Sequence, residues 1–197
     1  MRIEVLDEPV AEPVSLQEAK VFLRVVSADE DALVGALVAA ARRQIELATG
    51  YALVEQTRRL VLDGFPPGGS PIPLPMPPLV SVTEIEYVDA NGAPQVVSVD
   101  DYRVIPDGTP GLIVPTVAWP EAASHDASVR VTFTCGFGAQ NAEALPEQLA
   151  VAVRQLVSHW YDNRTPVEVG TVATPVPMTV EFLTAAYRFR YHAPDHA

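Results

Sequence analysis

The sequence predicts an α+β protein in which a small helical core of about four helices carries a β-rich insertion between the second and third main helices. Apolar residues recur at helical spacing in residues 15–50 and again in residues 146–164. Residues 57–135 instead combine alternating apolar segments with Gly, Pro and Asn turn signals. Helices this short need tertiary partners, so we expect them to pack on one another across the insertion.

The first predicted helix begins at Ser15 and extends over residues 15–25. Ser15 and Glu18 form the S-x-x-E pattern of a capping box, in which each side chain bonds the backbone of the other residue. The apolar residues that follow recur at three- and four-residue intervals. This segment therefore predicts a short amphipathic helix.

A second, longer helix is predicted from Ser27 or Asp29, either of which can act as N-cap, to Gly50, a residue that commonly ends helices. Its predicted apolar stripe contains Leu33, Ala36, Leu37, Ala40 and Ile45. Its charged residues, which are Arg42, Arg43 and Glu46, are predicted to lie largely off that stripe.

The middle of the chain is predicted to be strands joined by turns. Residues 57–65 predict a strand, and residues 66–78, with their many prolines, predict an extended crossing that cannot be a central strand. Asn91 and Gly92 predict a hairpin turn, and residues 101–115 predict another strand pair. The segment SVRVTFTCGFG alternates apolar and polar residues and predicts a half-buried strand.

Helical periodicity returns at Pro146, which suits the first turn of a helix, and continues to Arg164. The predicted buried stripe contains Leu149, Val153, Leu156, Val157 and Trp160. Residues 165–197 are predicted to be a linker followed by a short C-terminal helix and a tail. We therefore expect residues 1–197 to form a single domain.

Composition excludes several classes of protein. With 48% hydrophobic and 19% charged residues, the chain is expected to be globular and soluble. No segment reaches the roughly 20 apolar residues of a membrane span, and the N-terminus lacks the apolar core of a signal peptide. The net charge of −12 and the single lysine disfavour DNA binding. One cysteine excludes an internal disulfide and fits synthesis in a reducing cytoplasm.

The segment HWYDNR is the strongest candidate for chemistry. His159, Asp162 and Asn163 could join Cys135 as base, orienter and nucleophile of a hydrolase. The alternative is the polar end of a buried helix, with Asp162, Asn163 and Arg164 forming part of a subunit surface. We favour the helix end, because a lone cysteine at a strand end usually packs as a small hydrophobe.

Cofactor and metal motifs are missing from the sequence. GFGAQN begins like a dinucleotide-binding loop, but Asn141 stands where the third glycine should be. No phosphate-binding loop and no H-E-x-x-H pattern occur. His192 and His196 are separated by Pro194, which disfavours a preformed metal site. We therefore predict no catalytic residue, no cofactor and no metal.

Taken in order, several segments resemble the tailed-phage head–tail connector family, whose members are also called adaptor or head-completion proteins. These segments are PVSLQEAKVFLRV, DEDALVGALVAAARRQIELATGYAL, PMPPLVSVTEIEYVDANGAPQ, DYRVI, VRVTFTCGFG, LPEQLAVAVRQLVSHWYDNR and VEFLTAAYR. The resemblance extends from about Pro13 to Arg190. Gene transfer agents, which are domesticated phage-like particles, contain the same type of protein, and the sequence leaves open which kind of particle this chain belongs to.

The resemblance implies a structural protein without enzymatic activity, made in the bacterial cytoplasm and located in the neck of a virion or phage-like particle. It implies a ring, usually a dodecamer, that binds the portal on one side and a stopper or other neck protein on the other. DNA would pass through the ring without specific binding. Cys135 stands where the family is expected to have a small residue such as Ala, which argues against a catalytic thiol.

Two other classes of protein remain as alternatives to this adaptor. One is the hydrolase that would use Cys135 or His159. The other is a β-rich glycan-binding module, suggested by the strand-rich middle and by aromatic residues expected to be exposed, such as Trp119.

The tail segment YRFRY alternates Tyr187, Phe189 and Tyr191 with Arg188 and Arg190. In an extended chain the aromatic rings share one face and the arginines the other. Either Tyr187 packs on its own core, or the tail leaves the subunit and binds the portal through all five residues. In the second case, deletion from Tyr187 onward is expected to abolish portal binding and leave stability nearly unchanged.

Overall fold

The computed structural model describes residues 1–138, 144–163 and 177–189. Within them lie four α-helices, namely α1 (Leu16–Leu23), α2 (Asp31–Thr49), α3 (Glu147–Asp162) and α4 (Met178–Ala185). The strands are β1 (Arg2–Val5), β2 (Gln56–Leu62), β3 (Ile72–Leu74), β4 (Leu79–Val88), β5 (Pro94–Val96), β6 (Tyr102–Ile105), β7 (Gly111–Pro115) and β8 (Val129–Cys135). The α+β class is confirmed, with the β insertion (β2–β8) between α2 and α3.

The first helices begin and end where their local chemistry predicts. At α1 the Ser15 hydroxyl accepts from the Glu18 backbone N–H at 3.2 Å, and the Glu18 carboxylate accepts from the Ser15 N–H at 2.8 Å. A short 3₁₀ turn after Ser27 leads into α2. The helix ends at Gly50, whose φ of 75° is left-handed and suits glycine. Lys20 of α1 is buried in an ion pair with Asp31, the first residue of α2.

The predicted apolar stripe of α2 is only partly correct, since Ile45 is buried and Leu37 packs against the core. Leu33 and Ala36 are exposed, while the buried face contains Val34, Val38, Ala41, Arg42, Ile45, Glu46 and Thr49. Hydrophobicity alone misplaced the stripe because α2 buries an ion pair between Arg42 and Glu46. In α3 the predicted stripe is confirmed, since Leu149, Val153, Leu156 and Val157 are buried and Trp160 packs against them.

The described strands form two antiparallel sheets. One has the order β1-β2-β8-β4-β5 and the other β3-β7-β6. The proline-rich crossing contributes only the edge strand β3, as its composition requires. At the predicted hairpin turn the Asp89 carboxylate accepts from the N–H groups of Asn91 and Ala93, and Gly92 has a φ of 83°.

Two features of the larger sheet differ from prediction. Strand β8 was expected to be half-buried, but it is central, and Thr132 on its polar face is also buried beneath Arg59. Strand β1 was not predicted, because four residues of a polar N-terminus give too short a pattern. It pairs with β2 from Arg2↔Val61 to Val5↔Arg58.

Two hydrophobic clusters form the interior. One lies among the four helices, here called the helical body, and also contains Leu53 and Phe137. The other lies between the sheets of the β insertion and contains Cys135. None of the described helices combines the length and apolar character needed to span a membrane.

Candidate functional site

The N-terminal arm, defined here as residues 7–14, is attached to α2 by Arg42. The guanidinium donates to Glu12 at 2.8 Å, to Glu8 at 3.1 Å and to Glu46 at 3.1 Å. Burial alone would lower the pKa of Arg42, which is only 2% exposed, but hydrogen bonds and charge from these carboxylates raise it. Arg42 therefore stays charged.

The same network extends from α2 into the start of the β insertion. Glu46, which is also buried, accepts from the backbone N–H of Leu53 at 3.0 Å and from the Gln56 amide at 2.9 Å. Slight desolvation would raise the pKa of Glu8, but the hydrogen bond from Arg42 and the charge of Arg43 lower it overall. The arm, α2 and β2 are thus joined by one set of charged groups.

An aromatic cluster around Tyr51 attaches the C-terminal segment to the end of the same helix. Tyr51 stacks on Phe137 with ring centroids 6.4 Å apart, and meets Tyr187 and Phe189 edge-on at 6.1 and 6.4 Å. The Phe189 N–H donates to the Thr49 carbonyl at 2.6 Å. A Cβ at Gly50 would lie 2.4 Å from the Phe189 carbonyl oxygen, so only glycine allows this approach.

Beside this cluster is an open cavity of about 520 Å³ where the helical body meets the β insertion. Three aromatic rings and four prolines contribute to its walls, together with one carboxylate. The lining residues are Tyr51, Pro77, Pro78, Leu79, Val80, Pro106, Asp107, Gly108, Thr109, Phe137, Pro146 and Tyr187. The lining offers packing surface and a single charge, which suits a binding cleft better than a catalytic one.

The predicted alternation of the tail is confirmed for the part that the structure describes. Tyr187 and Phe189 both contact Tyr51, whereas Arg188 is exposed. The Tyr187 hydroxyl also donates to the Gln148 side-chain oxygen at 3.3 Å. In the isolated chain Tyr187 therefore packs on its own core.

Two of the five residues predicted to bind the portal, Arg190 and Tyr191, lie outside the described residues. Portal binding by this segment stays a prediction.

Residues 159–162 of the segment HWYDNR form the last turn of α3, in which His159, Trp160 and Tyr161 are half-buried and Asp162 is exposed. The Asn163 side-chain amide donates to the His159 carbonyl at 2.8 Å, and the Ser158 hydroxyl donates to the Asp162 carboxylate at 3.4 Å. These bonds satisfy groups at a helix terminus, as expected for a polar helix end. Arg164 lies outside the described residues, and the role of Asp162, Asn163 and Arg164 in a subunit surface stays a prediction.

Cys135 has the environment of a core residue rather than a nucleophile. It is fully buried in β8, where its thiol donates weakly to the Gln56 carbonyl at 3.9 Å. Burial raises the pKa of Cys135 to about 12, although the charge of Arg58 opposes the shift. The thiol is therefore protonated at neutral pH and is not activated. His159 belongs to a different part of the molecule, the last turn of α3.

The other candidate features of the sequence are also accounted for. Trp119 was expected to be exposed, but it is half-buried and stacks on Phe65 with centroids 5.0 Å apart, and its N–H donates to the Ser70 carbonyl at 2.9 Å. This ring does not form a free platform for a sugar. Over residues 1–138, 144–163 and 177–189, no three His, Cys, Asp or Glu residues converge as metal ligands. Asn141, His192 and His196 lie outside these ranges.

The buried, protonated thiol of Cys135 does not support the hydrolase, and the helical body with its antiparallel insertion has the architecture that the resemblance to head–tail connector proteins implies. Residues 13–173 match the model of the head completion protein family, and the chain belongs to this family. No curated protein matches the sequence. The resemblance to head–tail connector proteins is confirmed.

Solved structures similar to this chain come from gene transfer agent (GTA) particles. A chain in the neck of an empty GTA particle, computed with C6 symmetry, is 28% identical, with 99% of both chains covered and a TM-score of 0.78. A chain of the virion of a native GTA particle has 28% identity, the same coverage and a TM-score of 0.77. A chain in a native neck computed with C12 symmetry is 26% identical over 99% of both chains, with a TM-score of 0.68.

Sequence reasoning missed the Arg42 network and the cavity beside Tyr51. A signal for the first was present, because an arginine and a glutamate four residues apart on α2 can pair on one face. Nothing in the sequence indicated that Glu8 and Glu12 would join them. The cavity depends on prolines and aromatic residues that are far apart in the chain, and no local pattern could bring them together.

Proposed function

We propose that this chain is a head–tail adaptor in the neck of a phage-like particle, where copies form a ring, expected to be a dodecamer, beneath the portal. The ring joins the head to a stopper or other neck protein and lets DNA pass. The observation that carries this proposal is the likeness to neck chains of GTA particles over 99% of both chains, one of them from a map with C12 symmetry.

The charge of the chain supports a passive role toward DNA. Each copy carries a net charge of −12, and its single lysine is buried in an ion pair. DNA affinity comes mainly from Lys and Arg that neutralise phosphates, so an acidic ring lets the duplex move past without holding it. Purified protein that bound duplex DNA at physiological salt with a Kd of about 1 µM or tighter would contradict this role.

On the portal side, the proposed contact is the segment Tyr187, Arg188, Phe189, Arg190 and Tyr191. Aromatic residues and arginine are enriched among residues that dominate binding energy at interfaces. Arg188 is exposed and available for a partner's carboxylate, whereas Tyr187 and Phe189 would exchange their contact with Tyr51 for the portal. At the exposed end of α3, Asp162, Asn163 and Arg164 are proposed to face a neighbouring subunit.

Sedimentation of the full chain, alone and with purified portal, tests the proposal. Alone, the chain is expected to be a monomer or a weak, heterogeneous oligomer, because identical acidic subunits repel one another within about 8 Å at physiological salt. With portal, a uniform ring should cosediment. Absence of a complex at micromolar concentrations of both proteins would contradict the proposed function.

A further inference from the structure

Two groups of large apolar side chains are exposed on the helical body. The α1 patch consists of Val21, Phe22 and Val26, whose exposed fractions are 68%, 46% and 94%. The α4 patch consists of Met178 and Phe182, which are 84% and 82% exposed. Neighbouring exposed apolar side chains are candidate contacts with another protein, whereas single ones are normal on a protein surface.

The α4 patch borders a shallow groove of about 330 Å³ between α3 and α4. The groove is lined by Val151, Gln155, Met178, Thr179, Phe182 and Leu183. Most of these groups are apolar, and the groove has room for a projecting side chain such as Phe22. It is therefore a receptor surface, whereas the α1 patch projects from the end of its helix.

The two patches belong to different helices, α1 and α4, which pack on different faces of α3. Both α1 and α4 pack against this helix. On one side Glu18 of α1 interacts electrostatically with Arg154, and on the other side Tyr187, just after α4, bonds Gln148. Gln148 and Arg154 are six residues apart, which places them about 120° apart around the helix axis.

A ring requires two different surfaces on each copy. A rotationally symmetric ring of more than two copies uses a heterologous contact, in which one surface of each copy meets a different surface of the next. The similar neck chain from a C12 map belongs to such an arrangement. A projecting patch on α1 and a groove between α3 and α4 provide one surface of each kind.

Charge complements the apolar match. Arg24 is exposed between Phe22 and Val26, and Glu181 is exposed between Met178 and Phe182. No ion pair joins either of them to another described residue. Each therefore offers a charge to a partner of opposite sign.

We propose that the α1 patch of one copy docks in the α3/α4 groove of the next copy around the ring, with Arg24 opposite Glu181. This contact rests on the ring proposed above and specifies which two surfaces close it. Opposite charges at these positions favour a contact between the α1 patch of one copy and the α4 patch of the next, because a contact between two α1 patches or two α4 patches would bring like charges together.

Cysteine cross-linking in assembled particles tests the contact. The pair Val26→Cys and Phe182→Cys is introduced into the full chain and treated with a short bismaleimide. The native Cys135 is buried, so the wild-type chain serves as an unreactive control. The double variant should give a ladder of dimers, trimers and larger species on a denaturing gel, whereas each single variant should give monomers. A Val99→Cys and Phe182→Cys pair controls for chance proximity, since Val99 is exposed on the β insertion.

Each other outcome of the cross-linking is decisive. A ring visible in the neck without a ladder from the double variant would overturn the proposed contact, as would dimers of equal yield from the single variants. A neck that contains no ring of this chain would instead refute the proposed function itself. If Phe182→Cys lowers the melting temperature of the isolated chain, the α4 patch is covered by the chain's own residues and the contact is wrong.

Charge reversal provides a second test, in which the extent of ring formation is itself the quantity measured. Arg24→Glu and Glu181→Arg should each lower ring formation on the order of tenfold, and the double reversal should restore it to within about threefold of wild type. Arg43→Glu is the matched control, because Arg43 is an exposed arginine outside both patches. Failure of the double reversal to improve on the single variants would refute the pairing.

Discussion

The two terminal segments are both fastened to α2, but by different interactions. The N-terminal arm is attached near the middle of the helix, where Arg42 bonds Glu8 and Glu12. The C-terminal segment is attached at the end of the helix, where Tyr187 and Phe189 meet Tyr51 and the Phe189 N–H bonds the Thr49 carbonyl. One attachment is electrostatic and the other is mainly apolar.

This difference determines how each segment responds to its surroundings. An ion-pair network weakens in acid, and its exposed part also weakens as salt is added. If one partner of its buried part is lost, the other is left as an uncompensated buried charge. An aromatic contact is insensitive to moderate changes of pH and salt, and can be exchanged for a similar contact on a partner. The arm is therefore suited to a permanent role and the tail to an exchangeable one.

The largest expected effect is that of Arg42→Ala. The substitution leaves Glu46 buried with only Arg58, 3.8 Å away, as a cation, and breaking a buried pair in this way costs about 3 kcal/mol in the free energy of unfolding. Denaturant unfolding measures the change. The matched control is Arg43→Ala, which removes an exposed partner of Glu8 and should cost less than about 1 kcal/mol. Equal effects of the two substitutions would mean that the buried network does not hold the arm.

Gly50→Ala should have the next largest effect, about 2 kcal/mol. The left-handed backbone at this position disfavours any residue with a Cβ, and the added atom would lie 2.4 Å from the Phe189 carbonyl oxygen. Thermal unfolding and the fluorescence of the tyrosines report the change. Gly35→Ala is the control, since Gly35 lies within α2 with open space around it. This substitution should stabilise the protein by up to about 1 kcal/mol.

Truncation after Ala186 should cost about 1 kcal/mol, because it removes the half-buried Tyr187 from the core of the helical body. This differs from the sequence-based expectation of nearly unchanged stability. Calorimetry measures the cost, and portal binding by the truncated chain tests the proposed contact. Wild-type affinity for the portal after truncation would show that the anchor lies elsewhere.

The smallest expected effect is that of acid on the arm. The pKa of Glu8 is lower in the folded chain than its ordinary value of 4.5, so the stability from this group is present above about pH 4.5 and is lost as pH falls through the folded pKa. Relative to its intrinsic rate at each pH, hydrogen exchange of the β1 amides should speed up as pH falls below about 4.5, while exchange at Phe189 should not follow. Glu8→Gln should remove this part of the pH dependence. Parallel acceleration at both sites would show a common opening instead.

The sequence predicted local features well and distant ones poorly. The capping box at Ser15, the end of α2 at Gly50 and the hairpin at Asn91 each depend on residues within a few positions of one another. The buried face of α2 was misjudged, because the carboxylates that pair with Arg42 come from a segment about thirty residues away. Periodicity carries no information about such partners.

For the candidate site, the sequence predicted chemical character better than position. The alternation of aromatic and basic residues in the tail was correct for Tyr187, Arg188 and Phe189. The surface that receives the two rings was not predictable, because Tyr51 is far from them in sequence. Trp119 was expected to be exposed for a similar reason, since its stacking partner Phe65 lies in another segment.

The ion pair between Lys20 and Asp31 has a practical consequence for mapping the particle. Lys20 is the only lysine in the sequence and is buried, and the N-terminal amine lies 3.4 Å from the Asp63 carboxylate. Amine-directed reagents therefore find no exposed lysine on this subunit and at most the N-terminal amine. In cross-linking mass spectrometry with such reagents, the subunit would give few cross-links even when partners surround it. Carboxylate-directed reagents, for which its acidic surface offers many targets, are the suitable choice.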